Sequence, residues 1–114
     1  MLITVAELPE YQRRAAKLLS DDERLDVVNY LAAFPKEGDR IRDTGGIRKL
    51  RWARHGRGKS GGVRVIYYFH SERIPLYLLT VFAKNERNDL TQGERNELSK
   101  LVRILVDTAT ETTK

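Results

Sequence analysis

The sequence predicts an α+β domain whose elements run β-α-α-β-β-β-α, with an antiparallel sheet, a helical hairpin before it and a C-terminal helix after it. Three observations carry this prediction. Residues 9–34 hold two adjacent stretches with apolar side chains at helical spacing. Residues 47–84 hold three β-branched and aromatic runs joined by short connectors, and residues 91–94 open a last helical stretch with a capping box. In this reading the helices cover one face of the sheet and leave the other open. The chain of 114 residues, 40% of them apolar, suffices for one domain with a modest core. That domain is expected over residues 1–109, with 110–114 as a fraying tail that has little to bury.

Each element has its local reason. ITVA at 3–6 is a short β-prone run, followed by Pro9, which suits the first turn of a helix. Tyr11, Ala15, Leu18 and Leu19 then recur at helical spacing. SDDE at 20–23 is a capping box that opens a second helix, with Val27, Tyr30, Leu31 and Phe34 on one face and Pro35 as its stop. Residues 35–46 are a polar connection rich in turn formers. Strands are expected at Ile47–Arg54, Gly62–His70 and Leu76–Lys84, linked as hairpins into a meander. TQGE at 91–94 is a second capping box, and Leu98, Leu101, Val102, Leu105 and Ala109 mark one face of the final helix.

The charge is unevenly placed. Net charge is +5, yet the 28 residues from Thr44 to Ser71 carry seven basic residues and no acidic one, while the remainder has 14 basic against 16 acidic residues. The positive excess is therefore a patch, the electrostatic footprint of a polyanionic partner. Period-two alternation puts Val63, Val65, Tyr67 and Phe69 on one face of their strand and Arg64, Ile66 and Tyr68 on the other. Leu50 and Trp52 likewise oppose Lys49 and Arg51, and Thr80, Phe82 and Lys84 oppose Leu79, Val81 and Ala83. With the more apolar sets against the helices, Lys49, Arg51, Arg64 and Lys84 converge on the open side. Clustered cations repel unless an anion joins them, and phosphate suits Arg as a bidentate partner and Lys as a point charge. The loop RHGRGKSGG at 54–62 adds glycines that let backbone N–H groups approach closely.

Other chemistries find little support. Without cysteine there are no disulfides or thiolate metal sites, and His55 and His70 form no metal-ligand spacing, so no metal and no cofactor is expected. The Gly-Lys pair at 58–59 lacks the upstream Gly of a phosphate-binding P-loop and opens no helix. No signal-peptide core or stretch of about 18 apolar residues is present, so a cytoplasmic protein without membrane association is expected. Trp52 reads as core, and Tyr67 and Tyr68 split between core and open face.

GGVRVIYYF at 61–69, followed by LYLLTVFAKNERNDLTQGE at 76–94, resembles the central and C-terminal portion of RelE/HigB toxins of bacterial toxin–antitoxin pairs. The order of elements over nearly the whole chain agrees with a RelE-like fold. The resemblance implies a metal-independent endoribonuclease that enters the ribosomal A site, cuts messenger RNA there by attack of the ribose 2′-OH, and so inhibits translation. It also implies a cognate antitoxin with a helix-turn-helix DNA-binding domain, through which alone operator DNA would be met. Arg64 matches the family's strand arginine and would stabilise transition-state charge, and Lys84 matches a basic residue at the end of the last strand. Lys59, Lys84 or the carboxylate of Glu86 would be the general base. Lys49, Arg51, Arg54, Arg57, Tyr68, Asn85 and Arg87 would contact RNA. Asn85 stands where several relatives carry a second arginine, and Thr91 where several carry a stacking aromatic; Thr91 reads here as a helix cap. Two other functions fit the same residues: a ParE-like inhibitor of DNA gyrase, and a non-catalytic RNA-binding module.

Overall fold

The computed structural model describes residues 3–53 and 62–112. Its elements are β1 (Val5–Glu7), α1 (Pro9–Leu18), α2 (Asp21–Ala33), β2 (Asp39–Arg40), β3 (Arg48–Trp52), β4 (Val63–Tyr68), β5 (Leu76–Ala83) and α3 (Gln92–Thr112). The strands form one sheet in the order β1-β5-β4-β3-β2, with β1 parallel to β5 and the other pairings antiparallel. The predicted α+β order is present, with one addition. β2 lies inside the expected polar connection, and its two exposed residues carry no apolar alternation that would have marked them as a strand.

The helical hairpin forms for the reasons its sequence gives. Pro9 opens α1, and Tyr11 and Ala15 are fully buried one turn apart. The chain turns at Leu19, whose N–H donates to the Ala15 carbonyl. The capping box of α2 is reciprocal: Glu23 N–H donates to Ser20 Oγ at 3.1 Å and Ser20 N–H donates to Glu23 Oε1 at 2.9 Å. α2 ends at Ala33, with Phe34 as its C-cap and Pro35 next in the chain.

The expectation that all helices share one sheet face is overturned. Two cores exist, one on each side. Tyr11, Ala15, Val27 and Leu31 of α1 and α2 pack with Leu50, Val63, Val65 and Tyr67. On the opposite side, Leu98, Val102 and Leu105 of α3 pack with Ile47, Ile66, Tyr77, Leu79 and Phe82. The cause is written in β5, whose eight residues are all buried, as a strand covered on both faces requires. The predicted alternation of β5 is also corrected. A register shift pairs Thr80 with Ile66 and Leu78 with Tyr67, leaving Leu79 between them as a bulge. Leu79 therefore joins Phe82 on the α3 side, whereas Leu78 and Val81 face α1 and α2. Among the described residues no helix is long and apolar enough to cross a membrane.

Tyr67 ties the sheet to the segment after α2. Its ring fills the place a Gly38 side chain would need, 2.7 Å from the ideal Cβ, and its hydroxyl accepts from Gly38 N–H at 2.8 Å. Arg48 closes the same segment by donating to the Gly38 carbonyl at 2.8 Å. Tyr67→Phe keeps the ring but strands a buried N–H. It should lower stability by about 1–2 kcal/mol, read as a lower urea midpoint with unchanged slope; an unchanged midpoint would show that solvent satisfies Gly38.

Candidate functional site

The sheet presents its arginines where the cover of α3 gives out. Arg64 on β4 stands directly opposite Arg51 on β3 and Phe82 on β5. Side chains so opposed leave the backbone with Cβ atoms about 4.5–5.5 Å apart, and like charges there are destabilising. Arg64 is half-buried, and its Nη1 donates to the Val63 carbonyl at 3.3 Å. Partial burial, then the Arg51 charge, pull its guanidinium below the usual arginine range. Among the described residues no carboxylate pairs with either arginine. Arg87 extends the row by lying over the Phe82 ring, 4.5 Å from its centroid.

The flanking cations are compensated. Arg87 is bonded to Glu94, and Glu94 also accepts from Thr91 N–H at 2.8 Å while Thr91 Oγ1 accepts from Glu94 N–H at 3.1 Å. The second predicted capping box thus exists, and its carboxylate doubles as an arginine partner. The Arg87 hydrogen bond, foremost, holds the Glu94 carboxyl below its ordinary range against partial burial. Lys49 Nζ lies 3.3 Å from Asp89 and donates to the Asn88 carbonyl at 3.3 Å, and Arg95 reaches the same Asp89 oxygen at 3.4 Å. Burial pushes the Asp89 carboxyl up, but the Leu90 N–H, Lys49 and Arg95 together bring it below its ordinary value.

The predicted residues therefore divide. Lys49, Arg51 and Arg64 share one face of the sheet, and Arg87 joins them over Phe82. Lys84 follows at the exposed end of β5, where its N–H donates to the Gly62 carbonyl at 2.9 Å. Asn85 is exposed in the turn after it. Glu86 is drawn toward α1: one oxygen accepts from Ala83 N–H at 3.1 Å and the other lies 3.8 Å from Arg14. Tyr68 sits four residues beyond Arg64, about 13 Å along the strand, packed in the α3-side core with its hydroxyl 3.4 Å from His70 Nδ1. Arg54, Arg57 and Lys59 fall in 54–61, outside the described residues. Asp89, Arg95 and Arg14 were not foreseen. Lys49 and Asp89 are forty positions apart, and no spacing rule brings them together. Among the described residues no three His, Cys, Asp or Glu side chains are grouped to hold a metal ion.

The fold and the arginine row define a small α+β protein with a concentrated cationic site at one end of its sheet. Residues 10–114 match the family model described as the RelE toxin of the RelE / RelB toxin–antitoxin system. The match spans nearly the whole chain, so the protein belongs to the RelE toxin family: it is the toxin of a toxin–antitoxin system, and its family implies a cognate RelB-type antitoxin.

Two outcomes test the electrostatics. Arg51→Gln removes like-charge repulsion, so the melting temperature should rise slightly at low salt, with the gain shrinking as salt screens the pair; a drop at low salt would mean that Arg51 has a stabilising partner. Glu94 has a depressed pKa, so its contribution is full above its unfolded pKa and is lost as pH falls through the folded value. Glu94→Gln, which still caps, should lower urea midpoints at neutral pH and leave them near wild type in strong acid. A difference independent of pH would refute the ionic contribution.

Proposed function

We propose that this toxin is a ribosome-dependent endoribonuclease that cuts messenger RNA in the A site and so inhibits translation. The single observation that carries the reading is the cross-strand pair Arg51–Arg64, two cations held together without a carboxylate among the described residues. A site that tolerates such repulsion in the free protein is relieved when a phosphodiester enters, and Arg gives that group planar, bidentate bonds. In the proposed reaction the ribose 2′-OH attacks the adjacent phosphorus and the bond to the 5′-oxygen breaks. The products are a 2′,3′-cyclic phosphate and a 5′-hydroxyl end.

Arg64 is assigned to the non-bridging oxygens, where negative charge grows in the transition state. Arg51 and Arg87 hold the phosphate and its neighbours in line. The 2′-OH proton passes to a general base, and the leaving 5′-oxygen takes one from a protonated group. Glu86 is already engaged by Ala83 N–H and Arg14, which favours Lys84 as base among the described candidates. Lys59, with Arg54 and Arg57 as further RNA contacts, remains assigned from the sequence. Lys49 and Asn85 are placed at the border of the same surface, and the antitoxin is assigned the DNA-binding domain that reaches the operator.

Cleavage during in vitro translation tests this directly. Arg64→Ala should reduce A-site cutting by on the order of a hundredfold or more, and Lys84→Ala should lower single-turnover cleavage. Intact messenger in the presence of folded wild-type protein would overturn the reading, and inhibition of supercoiling would then redirect it to gyrase.

A further inference from the structure

Beside the arginine row, on the side of the β2–β3 hairpin, lies a cavity of about 220 Å³ whose lining is almost wholly charged. Five cations border it: Arg40, Arg42, Lys49, Arg51 and Arg95. Against them, among the described residues, stand two carboxylates, Asp39 and Asp89. The hairpin that carries Arg40 and Arg42 is fixed by a buried hydroxyl: Thr44 Oγ1 donates to the Ile41 carbonyl at 2.7 Å and accepts from Ile47 N–H at 3.1 Å. Gly45 and Gly46, at φ +74° and +112°, supply backbone that L side chains rarely adopt. At Gly46 the missing side chain leaves room for the Arg40 guanidinium, 3.3 Å from the ideal Cβ position. On the facing side, Arg95 keeps its Nε out of solvent with no partner among the described residues, so it retains unused donor capacity.

Asp89 is the key to what this cavity takes. It places one carboxylate oxygen 3.3 Å from Lys49 and 3.4 Å from Arg95, bridging β3 to α3 as an anion would. It is nonetheless 40% exposed, on the loop between β5 and α3, and so is a counter-ion that a stronger anion can replace. Arg51 belongs both to this cavity and to the pair with Arg64. Lys49 and Arg51 are two residues apart on one face, about 7 Å, which makes the two sites continuous along a strand of RNA.

Resting on the RNA reading above, we propose that this cavity is a second phosphate subsite: it takes a backbone phosphate of the single-stranded messenger next to the one held by Arg64, and Asp89 is the resident counter-ion which that phosphate displaces. The subsite adds affinity and register without sequence information, because it meets only the backbone.

Fluorescence anisotropy with a short single-stranded RNA made uncleavable by 2′-deoxy sugars tests the proposal across a salt series. Arg42→Ala, an exposed change that leaves the core untouched, should weaken binding and reduce the salt slope by about 0.7. Asp89→Asn should tighten binding several-fold, because Lys49 and Arg95 are released to the phosphate. Unchanged binding by Arg42→Ala, or weaker binding by folded Asp89→Asn, overturns the subsite while a loss in Arg64→Ala leaves the main reading standing. No binding by wild type, with no effect of Arg64→Ala on cleavage, overturns both.

Discussion

β5 has to keep eight successive side chains from water, and the remaining elements are arranged around that demand. A strand with one apolar face can lie at the surface of a sheet, but one apolar on both faces needs cover on both. α1 and α2 supply it on one side through Tyr11, Ala15, Val27 and Leu31, and α3 supplies it on the other through Leu98, Val102 and Leu105. The Leu79 bulge lets a run of apolar residues serve two cores at once, by turning Leu79 toward α3 while Leu78 still faces α1 and α2. β5 thus fixes the position of every helix, and the helices in turn decide which part of the sheet they leave uncovered.

What is left is the end where β3, β4 and β5 carry the row Arg51–Arg64–Phe82. Placing two arginines directly opposite each other works against folding, since their repulsion is weakened only by solvent and salt. Such an arrangement persists where the charge has a use that the free protein does not satisfy. Phe82 contributes to it physically: fully buried, it offers its ring to Arg87 and so brings a third guanidinium to the row without a hydrogen bond from the sheet.

Much of this was legible from the residues themselves. The capping boxes at Ser20 and Thr91 set two helix starts, because the reciprocal bonds depend only on residues three apart. Alternation assigned the faces of β3 and β4, and the density of cations without acids pointed to their end of the sheet. Three features were hidden for separate reasons. β2 is held by pairing with β3 rather than by its own pattern. The bulge depends on register, which period-two counting assumes rather than detects. The second covered face was signalled by LYLLTVFA, a run with almost no polar break, but α3 had to be docked in space before Asp89 could meet Lys49.

That docking explains why some cations are paired and others are not. α3 reaches the sheet through apolar contacts, and its first turns and preceding loop bring Asp89 and Glu94 against Lys49, Arg95 and Arg87. These carboxylates lower the cost of bringing Lys49, Arg87 and Arg95 close together, and each has its folded pKa held down in doing so. Arg51 and Arg64 lie in the adjoining strands, where no acid of this loop pairs with them among the described residues. The same helix that completes the hydrophobic cover therefore draws the border of the cationic site, neutralising its flank and leaving its centre charged. Under the proposed function, a polyanion arriving at that centre would meet the uncompensated pair Arg51–Arg64, with Asp89 as a counter-ion beside them, and affinity would be concentrated where the cross-strand pair stands.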